Sequence, residues 1–354
     1  SLIINVPVSI TGEPQDQVAT AGETASFSVI AVGTEPLSYK WRFNGTVIAR
    51  ATSATLLLAD VQPAHAGNYS AEIINVVSTV VSREASLTVN RPVAITQQPL
   101  NQEVTLGNQA TFSVVADGTP QFSYQWRFNG VIIPGATGAT LILPQVQLTD
   151  AGDYSVQVGN PVGTVLSATA RLTVNVPVTI TQPPQDRTVT AGGSATFSVG
   201  AGGTAPLSYQ WRKDGAILPG ATDATLALAN VQPAQAGNYT VDVTNVAGAT
   251  TSSAARLVVN VPVTFTQQPL SQVLTAGETA LLAVTVSGTA PFTYQWYHAG
   301  TPMANATSAI LSLPDVQPAD NGLYYVDVSN AAGTERSSAA QLTVIVPPEI
   351  TRDP

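Results

Sequence analysis

Tyr124-Gln125-Trp126-Arg127-Phe128-Asn129-Gly130 closes on an Asn-Gly pair, and Asp150-Ala151-Gly152-Asp153-Tyr154 follows after a Leu-x-Leu step at Leu141 and Leu143. An Asn-Gly pair at the end of an alternating run is a hairpin signal, because both central residues of the tight turn need positive φ. On either side of it, Ala110, Phe112 and Val114 alternate with Thr111 and Ser113. Tyr154, Val156 and Val158 alternate with Ser155 and Gln157, and Ala170, Leu172 and Val174 continue the pattern. Alternation with a period of two marks half-buried strands. Gly118 to Pro120, Pro134-Gly135 and Asn160 to Gly163 interrupt the runs. No stretch keeps a helical period, although Gln147 to Gly152 leaves room for a single turn. Short strands at this spacing predict an all-β sandwich or barrel.

The same stretch recurs. The tryptophans are Trp41, Trp126, Trp211 and Trp296, each 85 residues after the last, and Tyr69, Tyr154, Tyr239 and Tyr324 keep the same step. So do Pro7, Pro92, Pro177, Pro262 and Pro347, without an insertion or deletion between copies. A fixed period of this kind is the signature of a repeat architecture. Length alone, at roughly 100 to 200 residues per domain, predicts two or three domains; the repeat raises this to four, at 7–91, 92–176, 177–261 and 262–346. Residues 1–6 match the end strand of a preceding repeat (Ser1 to Asn5 against Ser86 to Asn90). Residues 347–354 match the start of a following one (Pro347 to Pro354 against Pro92 to Pro99). The expectation is a window from a longer tandem array.

These motifs resemble the immunoglobulin I-set pattern: a Trp in the third strand, a Leu-x-Leu fifth strand, Asp-x-Gly-x-Tyr at Asp150, Gly152 and Tyr154, and Asn-x-x-Gly at Asn160 and Gly163. The resemblance covers all four units. It implies four tandem Ig-like β-sandwiches, with each Trp between the sheets and each Tyr as the corner residue whose hydroxyl bonds back to the backbone. Trp41, Trp126, Trp211, Trp296, Tyr69, Tyr154, Tyr239 and Tyr324 are therefore the expected structural core. The family's intersheet disulfide would fall at Val29 and Ala71, Val114 and Val156, Val199 and Val241, and Val284 and Val326, but the chain has no cysteine. A contribution of about 2 to 5 kcal/mol per domain must then come from packing instead. The first copy departs furthest, with His65 for the corner Asp and Ser78 for the turn Gly. Cysteine-free repeats rich in Ala, Thr, Val and Gly are similar to the Ig-like repeats of large bacterial surface proteins, which implies an extracellular or cell-surface setting.

Composition narrows the function classes. Charged residues make up 10% of the chain, against a usual share of about 25%, so the surface is built from Thr, Ser, Gln, Asn and Ala. With 13 Lys and Arg against 22 Asp and Glu, the net charge is −9, and no basic patch offers nucleic acid a footprint. No apolar run approaches the ~18 residues of a membrane span. Catalysis needs titratable groups converging in one cleft, whereas His65 and His298 occupy non-equivalent places in the first and fourth units. The carboxylates Asp150, Asp153, Asp315 and Asp320 flank turns without a partner histidine.

Calcium prefers six to eight oxygens, usually rich in carboxylate. The joints Asn90-Arg91-Pro92-Val93, Asn175-Val176-Pro177-Val178 and Asn260-Val261-Pro262-Val263 carry no carboxylate, and their recurring Pro predicts joints stiffened by fixed φ and Val packing. Proline fixes φ and leaves almost no slack between one unit and the next. A repeated Lys-Asn isopeptide is excluded, since the only lysines are Lys40 and Lys213. Sequons at Asn44, Asn68, Asn238 and Asn305 are acceptors only in a glycosylating cell. No cofactor, metal or catalytic residue is expected.

The sequence thus points to a structural, non-catalytic segment of an extracellular stalk, fibre or filament. The other class it allows is an adhesin, or the accessory binding repeats of a large secreted protein. Its expected partners are neighbouring repeats of the same chain and further copies associating laterally or end to end.

Overall fold

A computed structural model describes residues 4–348. The chain divides into two compact units, Ser1–Asn175 and Val176–Pro354, and each contains two sandwiches with separate cores. The end segments 1–6 and 347–354 lie largely outside the described residues.

The first sandwich sets the pattern. Its strands are β1 (Ser9–Gly12), β2 (Gln17–Thr20), β3 (Ala25–Ser28), β4 (Ile30–Val32), β5 (Ser38–Phe43), β6 (Thr46–Val47), β7 (Thr55–Leu58), β8 (Gly67–Ile74), β9 (Thr79–Val81) and β10 (Ala85–Asn90). One sheet runs β2-β10-β8-β5-β6, with β9 also paired to β8; the facing layer consists of the ladders β1-β4 and β3-β7. All pairings are antiparallel except β2 with β10, where Leu87 lies opposite Gln17 and Asn90 opposite Thr20. The other three repeats have the same order and registers.

Alternation decides which side chains meet. On β3, Ala25 and Phe27 are buried while Ser26 and Ser28 face water. On β8, Tyr69, Ala71 and Ile73 point inward. The single helical turn, Pro63–His65, is a 3₁₀ turn with proline at its start, where the missing N–H costs nothing. All eight residues at the family's cysteine positions are buried. Fully burying one Val, Leu or Phe side chain contributes about 1.5 to 3 kcal/mol, so one or two well-packed side chains per domain offset the absent disulfide.

A device whose sequence signal is only the 85-residue recurrence of one serine breaks the strand facing β8 into β9 and β10. The Ser82 hydroxyl accepts from Ala71 N at 2.9 Å and donates to the Arg83 carbonyl at 2.8 Å, while Ser82 N donates to Ala71 O at 2.8 Å. Ser167, Ser252 and Ser337 do the same in their repeats and are equally buried. Each hydroxyl satisfies an inner backbone N–H that a continuous ladder would have paired, as burial demands.

Candidate functional site: the joints and the outward sheet face

Each tryptophan is fully buried, and its indole N–H donates to a backbone carbonyl at 2.9 Å: Trp41 to Ser53, Trp126 to Gly138, Trp211 to Asp223 and Trp296 to Ser308. The ring thereby fills the space between the sheets and leaves no polar atom stranded. The four tyrosines bond back across the 3₁₀ turn, Tyr69 to His65 O, Tyr154 to Asp150 O, Tyr239 to Gln235 O and Tyr324 to Asp320 O, at 2.8 to 2.9 Å. Burial pushes the Tyr154 hydroxyl up to about 12, with the nearby Asp150 carboxylate adding to it.

The departures of the first copy have local explanations. His65 Nδ1 accepts from Gln62 N at 3.0 Å, the bond that Asp150 Oδ2 accepts from Gln147 N at 2.7 Å. An imidazole lone pair thus stands in for a carboxylate oxygen. Ser78 replaces the turn glycine at a φ outside the left-handed region, and Asn75 Oδ1 accepts from both Val77 N and Ser78 N at 2.9 Å, as Asn160 Oδ1 does from Val162 N and Gly163 N in the second copy. His298 lies far along the chain from His65 and stacks on Tyr324, with ring centroids 4.4 Å apart. Among the described residues no group of three His, Cys, Asp or Glu could hold a metal ion, and no helix is long and apolar enough to cross a membrane. Asn44 spends its side-chain oxygen on Asn68 N at 2.9 Å, and Asn68 donates to Glu84; Asn238 and Asn305 are exposed.

Within Ser1–Asn175, the joint between the sandwiches contains no slack residue. The Asn90 carbonyl accepts from Ala21 N at 2.7 Å in the first sandwich. The next residue, Arg91, is held by the second: its N–H donates to Thr119 Oγ1 at 2.7 Å, and its carbonyl accepts from Thr119 N at 3.1 Å and Asn160 Nδ2 at 2.7 Å. The joint within Val176–Pro354 repeats this with other residues. Asn260 O accepts from Ala191 N at 2.8 Å, while Val261 bonds to Thr289 Oγ1 at 2.7 Å, Thr289 N at 3.0 Å and Asn330 Nδ2 at 2.8 Å. A glycine permits the approach. At Gly118, φ is +140° and a Cβ would sit 2.7 Å from the Pro92 carbonyl. The sequence of the joints directs attention to Pro and Val, whereas the bonds come from Thr and Asn. The signal for them is the 85-residue recurrence of Thr34, Thr119, Thr204 and Thr289 with Asn75, Asn160, Asn245 and Asn330.

The outward side of the β8-type strand carries an arginine–acid pair in three repeats. Arg42 grips Glu72, Arg212 grips Asp242 at 2.7 Å, and Arg336 grips Asp327 at 2.7 Å. The Thr251 hydroxyl, aided by Arg212, holds the Asp242 carboxyl below the usual carboxylate range.

Comparison with known families rests on the same geometry. The Immunoglobulin domain model matches residues 7–75, 92–160 and 177–245, and the Immunoglobulin I-set domain model matches 263–344. The chain belongs to the immunoglobulin-domain family. Among relatives of these Ig repeats, human Hemicentin-1 is 28% identical over 380 residues, which cover 100% of this chain but 7% of that protein. Protein sax-3 of Caenorhabditis elegans is 28% identical, covering 83% of this chain and 26% of its own length. The Ig chain therefore spans only a small part of these relatives. The titin I-band fragment I67–I69 has the same fold, with a TM-score of 0.62 at 23% identity over 72% of this chain and 99% of the fragment. The relatives named are animal proteins, so the expected kinship to bacterial surface repeats is unsupported. Few charges and many small residues describe a cysteine-free Ig surface, and they do not mark a lineage.

Proposed function

We propose that this chain is a non-catalytic structural segment, four Ig domains that act as a spacer in an extracellular stalk, fibre or filament. The observation that carries the reading is the pair of joints at Asn90-Arg91 and Asn260-Val261, where one residue bonds backward and the next bonds forward. A chain held in this way fixes the step between the two sandwiches within each unit by hydrogen bonds. The nematode muscle M-line assembly protein unc-89, 28% identical over 91% of this chain and 4% of its own length, is a relative whose name describes assembly. The domain limits 7–91, 92–176, 177–261 and 262–346, the location outside the cell, and pairing with further repeats or further copies belong to this proposal.

The test is ¹⁵N relaxation of the whole chain and of an Asn160→Ala, Asn330→Ala double variant. In the unaltered chain, the two sandwiches within Ser1–Asn175 should tumble with one common tensor, as should the two within Val176–Pro354. The double variant should uncouple them. Independent tumbling in the unaltered chain would end the spacer reading. An adhesive role is the second reading, favoured by the variation of the outward sheet face from one domain to the next.

A further inference from the structure

Three domains carry a carboxylate at one position of the outward face, and the second does not. The residues in register are Glu72, Gln157, Asp242 and Asp327. In the first and third domains the arginine of the facing strand holds the acid through Nε, with Arg42 Nε at 3.2 Å and Arg212 Nε at 2.7 Å, and its Nη1 donates to a turn carbonyl, Gly45 O or Gly215 O, at 3.1 Å. In the second domain Arg127 keeps the turn bond to Gly130 O at 3.3 Å, but Nη2 meets the neutral Gln157 Oε1 at 2.9 Å. Among the described residues its Nε–H has no partner, and no carboxylate lies within ion-pair distance of it. The only acid on the same outward strand face among the described residues, Asp153, lies opposite Arg171. Arg127 also borders an open cavity of about 460 Å³, lined with it by Gly130, Ser155, Gln157, Thr164 and Leu166.

We propose that this cavity binds the carboxylate of an Asp or Glu side chain from an exposed peptide segment. The incoming carboxylate takes the place that Glu72 and Asp242 fill in the neighbouring repeats. A guanidinium presents its N–H donors in a fork matched to two carboxylate oxygens, and Arg127 has Nε–H and further Nη hydrogens to spare. The hydroxyls of Ser155 and Thr164 line the same cavity as additional donors, and Leu166, exposed at the rim, meets the short alkyl stem. The residues of the site are not those that bond across the joint, so the inference goes beyond the spacer reading and stands or falls without it.

The probe is N-acetyl-glutamate amide, titrated into the whole chain while the Arg127 Nε–Hε resonance and the backbone amides of Ser155 and Thr164, which remain readable in every variant, are followed by NMR at constant ionic strength. N-acetyl-glutamine amide and inorganic phosphate are the comparison arms. A saturable shift with the glutamate probe alone is the expected result. Gln157→Glu, which supplies the missing carboxylate from within, should weaken binding about tenfold or more, and Arg127→Gln should do the same. Absence of a saturable shift, an equal response to the glutamine probe, or tighter binding of phosphate would each overturn the proposal. So would undiminished binding in a folded Gln157→Glu chain; should that variant not fold, Arg127→Gln decides in the same way.

Discussion

The second and fourth domains have one interior and two different faces. Inside, Trp126 and Trp296, Val156 and Val326, and Ala170 and Ala340 are all fully buried in matching places. Outside, where the second domain has Arg127 and Ser155, the fourth has Tyr297 and Tyr325, stacked with centroids 4.9 Å apart. Arg336 covers the pair, 4.3 Å from the Tyr325 ring centre and 5.5 Å from that of Tyr297, while it grips Asp327. The arginine has thus moved from the β5-type strand to the β9-type strand, and the acid has found it there. Interior positions are limited by close packing, in which even a methylene is felt. Outward positions need only remain soluble and paired, so they are where domains of one chain come to differ.

The strongest way to break this comparison is to empty the shared interior. Trp126→Ala and Trp296→Ala should each cost about 3 to 5 kcal/mol, read in the whole chain as faster hydrogen exchange confined to the altered domain. A loss below about 1 kcal/mol would class either tryptophan with surface residues. A gentler probe is alkaline pH. The Tyr154 hydroxyl is raised from 10.0 to about 12, and burial also raises Tyr324. A raised folded value favours the protonated form in the native state, so the stability it contributes is complete below pH 10 and is lost as pH rises toward 12. Absorbance titration should therefore show the corner tyrosines ionising above the ordinary tyrosine value of 10.0, and Tyr154→Phe should remove one late step. The smallest expected effect is on the face: Arg336→Gln removes a cation–π contact and an ion pair from a side chain that is itself exposed, and should lower the fourth domain's stability far less than either tryptophan change. A larger loss in the fourth domain would mean that its outer face supports its fold.

Much of the core was legible because alternation and the 85-residue step are properties of the chain itself. Phe112 and Val114 could be assigned inward from their neighbours Thr111 and Ser113 alone. Ser167 could not, since a serine between Leu166 and Ala168 reads as an outward strand residue, and its burial follows from the break between two strand segments. The role of His65 was equally hidden. The motif marks it as a departure from Asp, whereas its ring nitrogen accepts the same turn bond.

Periodicity by itself determined the all-β class, the four units and the buried tryptophans, because a strand has only two faces and a fixed step can place equivalent residues in only one way. Tertiary structure alone decided how the joints are held and which outward groups meet. Asn160 reaches Arg91 across 69 residues, and Gln157 meets Arg127 across 30. Those contacts depend on loop paths and on strand neighbours that no local pattern encodes.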